Sequence, residues 1–494
     1  MTSVTSELAA RELSRLRREL GRLDTIFLLM SAMVVVDTVG AIAIGGAQAF
    51  TWLLVLFVAF FVPSALASAE LGAAMPDEGG AYVWVRASFG RFAGSLTSLL
   101  YWAGTPLWLG GSVTVVAIAV WTRFVGELGI AGQYAFGAAF VAGATVAAVV
   151  PLRYGKWVPS SGAIGQIVLL GFFTVSVVAY GLQHGVHGIA AHDLTPSYPV
   201  FIAVVPVLLY SFVGIELPSA AGGEMRDPRR DVPAAIGRAG LAQLVMYGVP
   251  VVAILVVLPS AQTTSLHGLI DALHAVLTVY GGSIGADGAA TLAGLGVVLG
   301  WVCAAVFVWV LLASGSAWIM GAGRAQAAAC LDGAGPAVLG RISARTGVPV
   351  VMALVSGGAS FVTVLVNLAV AEGDTQKYFS AALTTAIALI VLAYLLIFPA
   401  FVTLRIRRPA MERPFRVRGG LPVAWLVSVS ATAWSVLATV CLVWPGFGLS
   451  DPDDALPAGF AGERLQFELL VLSPIVAVVA LACVFHRLGR LAHR

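Results

Sequence analysis

Apolar runs, each about as long as a bilayer crossing, recur from residue 24 to the C-terminal end, and short segments holding most of the charge separate them. A helix needs about 20 consecutive apolar residues to cross the hydrocarbon core. On that measure the pattern predicts helices at Asp24–Phe50, Leu53–Ala73, Arg91–Arg123, Gln133–Val150, Trp157–Leu182, Tyr198–Ala221, Ile236–Leu258, Thr291–Ala325, Val348–Val370, Tyr378–Arg405, Leu421–Val443 and Leu469–His486. The expected fold is all-α, a polytopic membrane protein of about twelve transmembrane helices.

Composition agrees. Hydrophobic residues make up 59% of the chain and charged residues 11%, against roughly 25% charge in an average soluble domain. Charge placement tests the count separately, because Lys and Arg concentrate in cytoplasmic loops. Of 28 Lys and Arg residues, only Arg123, Lys377 and Arg464 fall outside the terminal segments and one alternate set of loops. One span more or fewer would move every later loop to the other side. The expectation is a multi-pass protein of the cell membrane with both termini cytoplasmic.

Met1–Arg22 is charged and helix-prone, with no apolar core and cleavage site of a removable signal peptide. Cys303, Cys330, Cys441 and Cys483 lie inside spans or at their ends and read as packing residues, not disulfides or metal ligands. The histidines, His187 and His493 among them, fall in outer connections or the C-terminal end, and no HExxH occurs. Neither enzymatic activity, a cofactor, a metal nor a nucleic-acid partner is expected. No pore-loop filter or charge ring favours a channel. The chain divides into a tail over 1–23, a ten-helix core over 24–405, and two further helices with a short C-terminus over 406–494.

Two acidic residues fall well inside spans, Asp37 in the first and Glu216 in the sixth. A carboxylate near mid-bilayer costs at least about 2.5–3.5 kcal/mol on insertion scales, so it faces a cavity, a partner or a proton. Each has helix breakers nearby: Gly40, Gly45 and Gly46 follow Asp37, and Gly214 and Pro218 flank Glu216. Interrupted membrane helices expose backbone groups that only protein or a water-filled site can satisfy, and such interruptions build ligand sites. The two spans are five apart, as corresponding members of two inverted five-helix repeats would be. The alternative is that the glycines serve close helix packing and the acids bond to neighbouring helices. Aromatic residues offer walls able to close over an ammonium group: Tyr101, Trp102 and Trp108 with Thr105 in the third span, Tyr210 and Phe212 in the sixth, Trp301, Trp309 and Trp318 in the eighth. The same residues also serve as interfacial anchors and fillers.

Four stretches in the basic loops carry a family resemblance. They are Glu70-Leu71-Gly72-Ala73-Ala74-Met75-Pro76-Asp77-Glu78-Gly79-Gly80-Ala81-Tyr82; Phe212-Val213-Gly214-Ile215-Glu216 with Glu224 through Pro233; Gly323-Arg324 through Pro336 with Thr346-Gly347-Val348-Pro349; and Arg413-Pro414-Phe415-Arg416-Val417. In that order they resemble the signatures of the amino acid, polyamine and organocation (APC) transporter superfamily. The resemblance implies a LeuT-like fold, two inverted five-helix repeats plus two peripheral helices, working as a secondary transporter by alternating access. It places Asp37, Thr38, Val39 and Gly40 at the unwound part of the first helix, and Ser211, Phe212, Val213 and Gly214 at the opposite break. It puts Tyr210 where some members carry an aromatic gate, Tyr101 and Thr105 at site-lining positions, Trp318 at an aromatic closing the site from below, and Glu216 at a carboxylate of proton-linked gating.

One departure stands out. Asp37 occupies a position where the family has a glycine whose backbone receives the substrate's α-carboxylate, and a charged Asp37 would repel that group. Three resolutions stand open: Asp37 is protonated during the cycle, it holds the ammonium of a decarboxylated amine, or it points away from the site. Gln166 stands where some sodium-independent members carry a Lys. The expected substrate is an amino acid, with a polyamine or monoamine as the alternative and a transporter-like sensor as the reading of another class. The expected coupling is to protons or by exchange.

Overall fold

A computed structural model describes residues 11–185, 188–257, 266–285, 288–370, 375–457 and 459–492. Residues 1–10 of the predicted tail, His187 and His493 lie outside the described residues. Among those described, ten helices are long and apolar enough to cross a membrane. The first span consists of α1 (Arg22–Met33) and α2 (Thr38–Ala43), followed by α3 (Gly46–Ala74), the helical layer α4 (Ala81–Phe89), α5 (Arg91–Phe124), α6 (Ile130–Val149) and α7 (Trp157–His184). The sixth span consists of α8 (Tyr198–Ser211) and α9 (Leu217–Ala220), followed by α10 (Pro228–Val257), the short helix α11 (Gly268–Leu277), α12 (Leu295–Ala329), α13 (Val350–Val370), α14 (Thr375–Arg407), α15 (Gly420–Val443) and α16 (Arg464–Ala492). The two spans that fail the length criterion are those carrying the intramembrane acids. With them the spans number twelve.

Two boundaries differ from expectation. The second span starts at Gly46 and not at Leu53, because the turn joining it to α2 is Ile44–Gly45, with no polar residue to mark it. The helices α4 and α11 and a hairpin of β1 (Gly282–Ile284) and β2 (Ala290–Leu292) were not predicted.

The packing repeats with a period of five spans. The fifth span packs on the eighth and the tenth on the third; the first packs on the seventh and the sixth on the second; the first also meets the fifth as the sixth meets the tenth. Equivalence of spans n and n+5 generates these pairs, the signature of an internal repeat. The eleventh span, α15, packs on α14, α3 and α8, and the twelfth, α16, on α5 and α14, so both lie at the periphery.

Ion pairs knit the basic face, and they join the four sequence stretches to one another. Glu70 binds Arg405 and, at 3.1 Å, Arg413, while its Oε2 accepts the Val417 N–H at 2.7 Å. Glu224 pairs with buried Arg324, and Glu78 accepts the Gly223 N–H at 3.0 Å beside them. Asp332 receives Arg86 and the Tyr82 hydroxyl, each at 2.6 Å. Residues up to about 350 positions apart in sequence thus close one side of the bundle beneath the two helix breaks.

Candidate functional site

Why the two helices break is local. Val34-Val35-Val36 is a run of three β-branched residues, each of which loses χ1 freedom in a helix, and α1 ends at Val34 with ψ of 89°. In the sixth span Gly214 takes φ of +98°, a conformation that side-chain-bearing residues rarely adopt, and Pro218 opens α9 at a position where its missing N–H costs nothing.

Unwinding leaves carbonyls without helical partners, and neighbouring spans supply donors. The Ser31 carbonyl accepts from Ser314 at 2.6 Å, Ala32 from the Trp318 indole at 2.9 Å, Met33 from Gln243 and Tyr247, each at 3.3 Å, and Val35 from Tyr247 at 3.1 Å. The Val34 carbonyl accepts from Gln166 Nε2 at 2.6 Å. Thr38 Oγ1 closes the turn onto the Val35 carbonyl at 2.8 Å and lies 3.2 Å from the Tyr247 hydroxyl. The break is therefore a fixed feature, held by donors from the fifth, seventh and eighth spans, with every carbonyl from Ser31 to Val35 engaged.

The two acids sit in different polar settings. Asp37, 3% exposed, accepts at Oδ2 from the Trp108 indole at 3.1 Å and from Ser112 Oγ at 3.0 Å, while its Oδ1 is buried without a partner. Ser112 reaches it from a π-turn over Leu109–Val113, which follows Pro106 in the third span; such bulges rotate side chains out of helical register and recur at functional sites. Glu216, 2% exposed, receives the Tyr394 hydroxyl at 3.1 Å to both oxygens, and the same hydroxyl accepts the Gly214 N–H at 3.2 Å. Tyr101 approaches Glu216 without completing a well-formed hydrogen bond.

The remaining candidates divide. Tyr101 and Trp108 lie 5.7 and 6.0 Å from the Trp318 ring, so the three aromatics form one wall against the first break. Tyr210 and Thr105 have buried hydroxyls without partners. Gly214 brings its backbone against the Trp318 ring. Val39 and Gly40 are buried in the first turns of α2, so the unwound residues are Val34–Asp37, displaced toward the N-terminus from the expected Asp37–Gly40. Ser211 bonds back to the Leu208 carbonyl at 2.6 Å. Phe212 turns onto Phe61 and Phe57 of the second span, at 5.4 and 6.0 Å, away from the other candidates. Trp301 and Trp309, expected as possible walls, are 52% and 42% exposed on the outer surface of α12.

The family model described as "Amino acid permease" matches residues 20–457. The chain belongs to the amino acid permease family. Among this permease's curated relatives is a probable agmatine/putrescine antiporter of Lactococcus lactis subsp. lactis, 24% identical over 406 residues, covering 80% of this chain and 82% of the relative. An uncharacterized transporter of Legionella pneumophila is 26% identical over 420 residues, 82% of this chain and 86% of the other. Among solved structures, a manganese transporter of Eremococcus coleocola matches with a TM-score of 0.61 at 13% identity, over 95% of this chain and 94% of that one. That likeness establishes the transporter fold of the permease and nothing about its cargo.

Proposed function

We propose that this permease is a secondary transporter carrying a small solute with an ammonium group, an amino acid or a related amine, across the cell membrane by alternating access, with both termini cytoplasmic. The observation that carries the reading is the meeting of two interrupted helices, each bearing a buried carboxylate, at Trp318, which donates to the Ala32 carbonyl of the first break, lies against Gly214 of the second, and forms an aromatic wall with Tyr101 and Trp108. Half-helices on either side of such a site move against the rest of the bundle about a fixed substrate position. Asp37 and Glu216 give the pathway two titratable groups, which supports coupling to a proton or exchange of one cation for another. Thr38, Thr105, Tyr210 and the Gly214 backbone complete the substrate's surroundings in this reading.

Purified permease in proteoliposomes is offered radiolabelled amino acids and amines with and without a pH gradient. Saturable uptake that the gradient accelerates, or that a counter-substrate inside the vesicle drives, supports the reading. Ligand binding that never leads to uptake would replace it with a sensor built on a transporter fold.

A further inference from the structure

On the face opposite the ion-paired basic one, a cavity of about 320 Å³ lies apart from the site between the breaks. The sixth, tenth and eleventh spans (α8, α14 and α15) pack on one another pairwise around it, and residues 454–457 with Phe467 of α16 line its outer end. Ile202, Val204, Leu383, Ile387 and Leu442 give it apolar walls, each residue at most 5% exposed. Its inner limit is set by Val207 and Ile387, three residues before Tyr210 and seven before Tyr394 on the same helices. A slot of this size, apolar with a few polar groups, has the character of a small-molecule site. The three packed helices close its sides, so it opens to the water on that face and not to the bilayer.

Two polar groups mark the slot. Thr384 lines its wall with a hydroxyl that makes no hydrogen bond among the described residues, and Asp454 lines its mouth, exposed and without an ion pair among those residues. The neighbouring cations are taken. Arg464 meets Asp453, Glu468, the Pro445 carbonyl and the Trp444 ring, and Lys377 meets Glu463. Over residues 444–468 five carboxylates stand against that one arginine. A cation approaching the mouth is attracted and an anion repelled.

From this arrangement we infer a second ligand site: the slot takes an amphipathic organic cation, its apolar body between the sixth, tenth and eleventh spans and its ammonium at Asp454, and the bound molecule regulates transport without being carried. The regulatory role rests on the transport reading proposed above; the site does not. Ala41 and Ile44 of the first span and Ile202–Val207 of α8 form one wall, while α14 and α15 form the other, so an occupant bridges both. In alternating access the half-helices α2 and α8 move against the rest of the bundle. A molecule wedged between them and α15 holds them in place.

The test uses 1-adamantylamine, 1-adamantanol and 1-adamantanecarboxylate, which share one compact apolar body and differ in the charge of the head. Binding to the purified permease is read from thermal stabilisation over a concentration series and from calorimetry. The amine is expected to bind a few-fold more tightly than the alcohol, the scale of one exposed charge pair, and the carboxylate most weakly. D454N, at an exposed position, should bring the amine to the affinity of the alcohol, and T384W, which fills the slot, should abolish binding of all three. In proteoliposomes the amine should lower the maximal rate of solute uptake and leave KM unchanged, and D454N should need a few-fold more amine for the same inhibition. Equal affinity for the three heads, or no binding of any, overturns the inference. Amine binding that D454N and T384W leave intact and D37N removes places the molecule between the breaks and overturns it as well. Competitive inhibition, or none, overturns the regulatory role. If no solute enters the vesicles at all, the transport reading fails, and the sensitivity of binding to D454N still decides the site.

Discussion

Gln166 places its amide nitrogen 2.6 Å from the Val34 carbonyl, at the residue where the first span stops being helical. A carbonyl at a half-helix C-terminus attracts cations, and here a neutral N–H has taken it. Uptake should therefore keep its rate when choline replaces sodium in the medium. Q166L, which leaves the carbonyl buried and unmatched, should lower stability by about 1–3 kcal/mol, read as a lower midpoint in detergent. A sodium-dependent rate, or a leucine variant as stable as the parent, contradicts this role.

Twelve spans, their order and the two acids flanked by breakers were legible because hydropathy and charge are local signals. The start of the second span was not, since Ile44 and Gly45 form a turn as apolar as the helices it joins. Nor was the register of the first break: Asp37 and Gly40 drew attention, whereas the valine run before them ends the helix. The groups that stabilise the break were harder still. Tyr247 and Gln243 come from more than 200 residues away and Ser314 from 283, and no spacing rule connects them to the first span. Tyr394 offered one unused clue, a hydroxyl in the middle of an otherwise apolar run.

Gly214 combines a φ of +98° with a neighbouring Trp318 ring carbon 3.3 Å from where a Cβ would stand. An alanine there is strained in backbone by roughly 1–3 kcal/mol and also presses on the wall of the site. G214A should remain folded yet lose most transport, measured as uptake per milligram of correctly reconstituted protein. Wild-type uptake would mean that the sixth helix does not need this conformation.

Tyr394 links the Gly214 N–H to Glu216 through one hydroxyl. Removing it in Y394F leaves a buried carboxylate short of a donor and frees the backbone of the break. The expected result is slower turnover with substrate binding weakened much less, obtained by comparing uptake kinetics with equilibrium binding. Equal losses in both would place Tyr394 in direct substrate contact.

Burial pushes the Glu78 carboxyl well above the usual glutamate range, and the neighbouring Glu224 charge pushes the same way against the opposing pull of Arg324. The folded protein thus holds this proton to higher pH than the unfolded chain does. Its contribution to stability is present below the unfolded value and fades as pH rises toward the folded one. Thermal midpoints should fall over that rise, and E78Q, which keeps an acceptor for the Gly223 N–H, should flatten the fall and match or exceed the parent at alkaline pH. An unchanged slope in E78Q would assign the pH dependence to other groups.

Glu70 is 1% exposed and receives two guanidinium groups and a backbone N–H, with Arg405 also donating to the Val417 carbonyl at 2.9 Å. Removing its charge strands two cations behind the RPF stretch, and breaking a buried pair in this way costs about 3–5 kcal/mol. R413A removes only one of the two cations and leaves Arg405 in place, so its cost should be the smaller. E70Q combined with R413A should be less harmful than the two single losses added together, because the double variant leaves one cation unpaired where E70Q leaves two. Midpoints of the four proteins give the coupling directly; strict additivity would show that the Glu70–Arg413 pair contributes nothing to holding the fourth stretch against the second span.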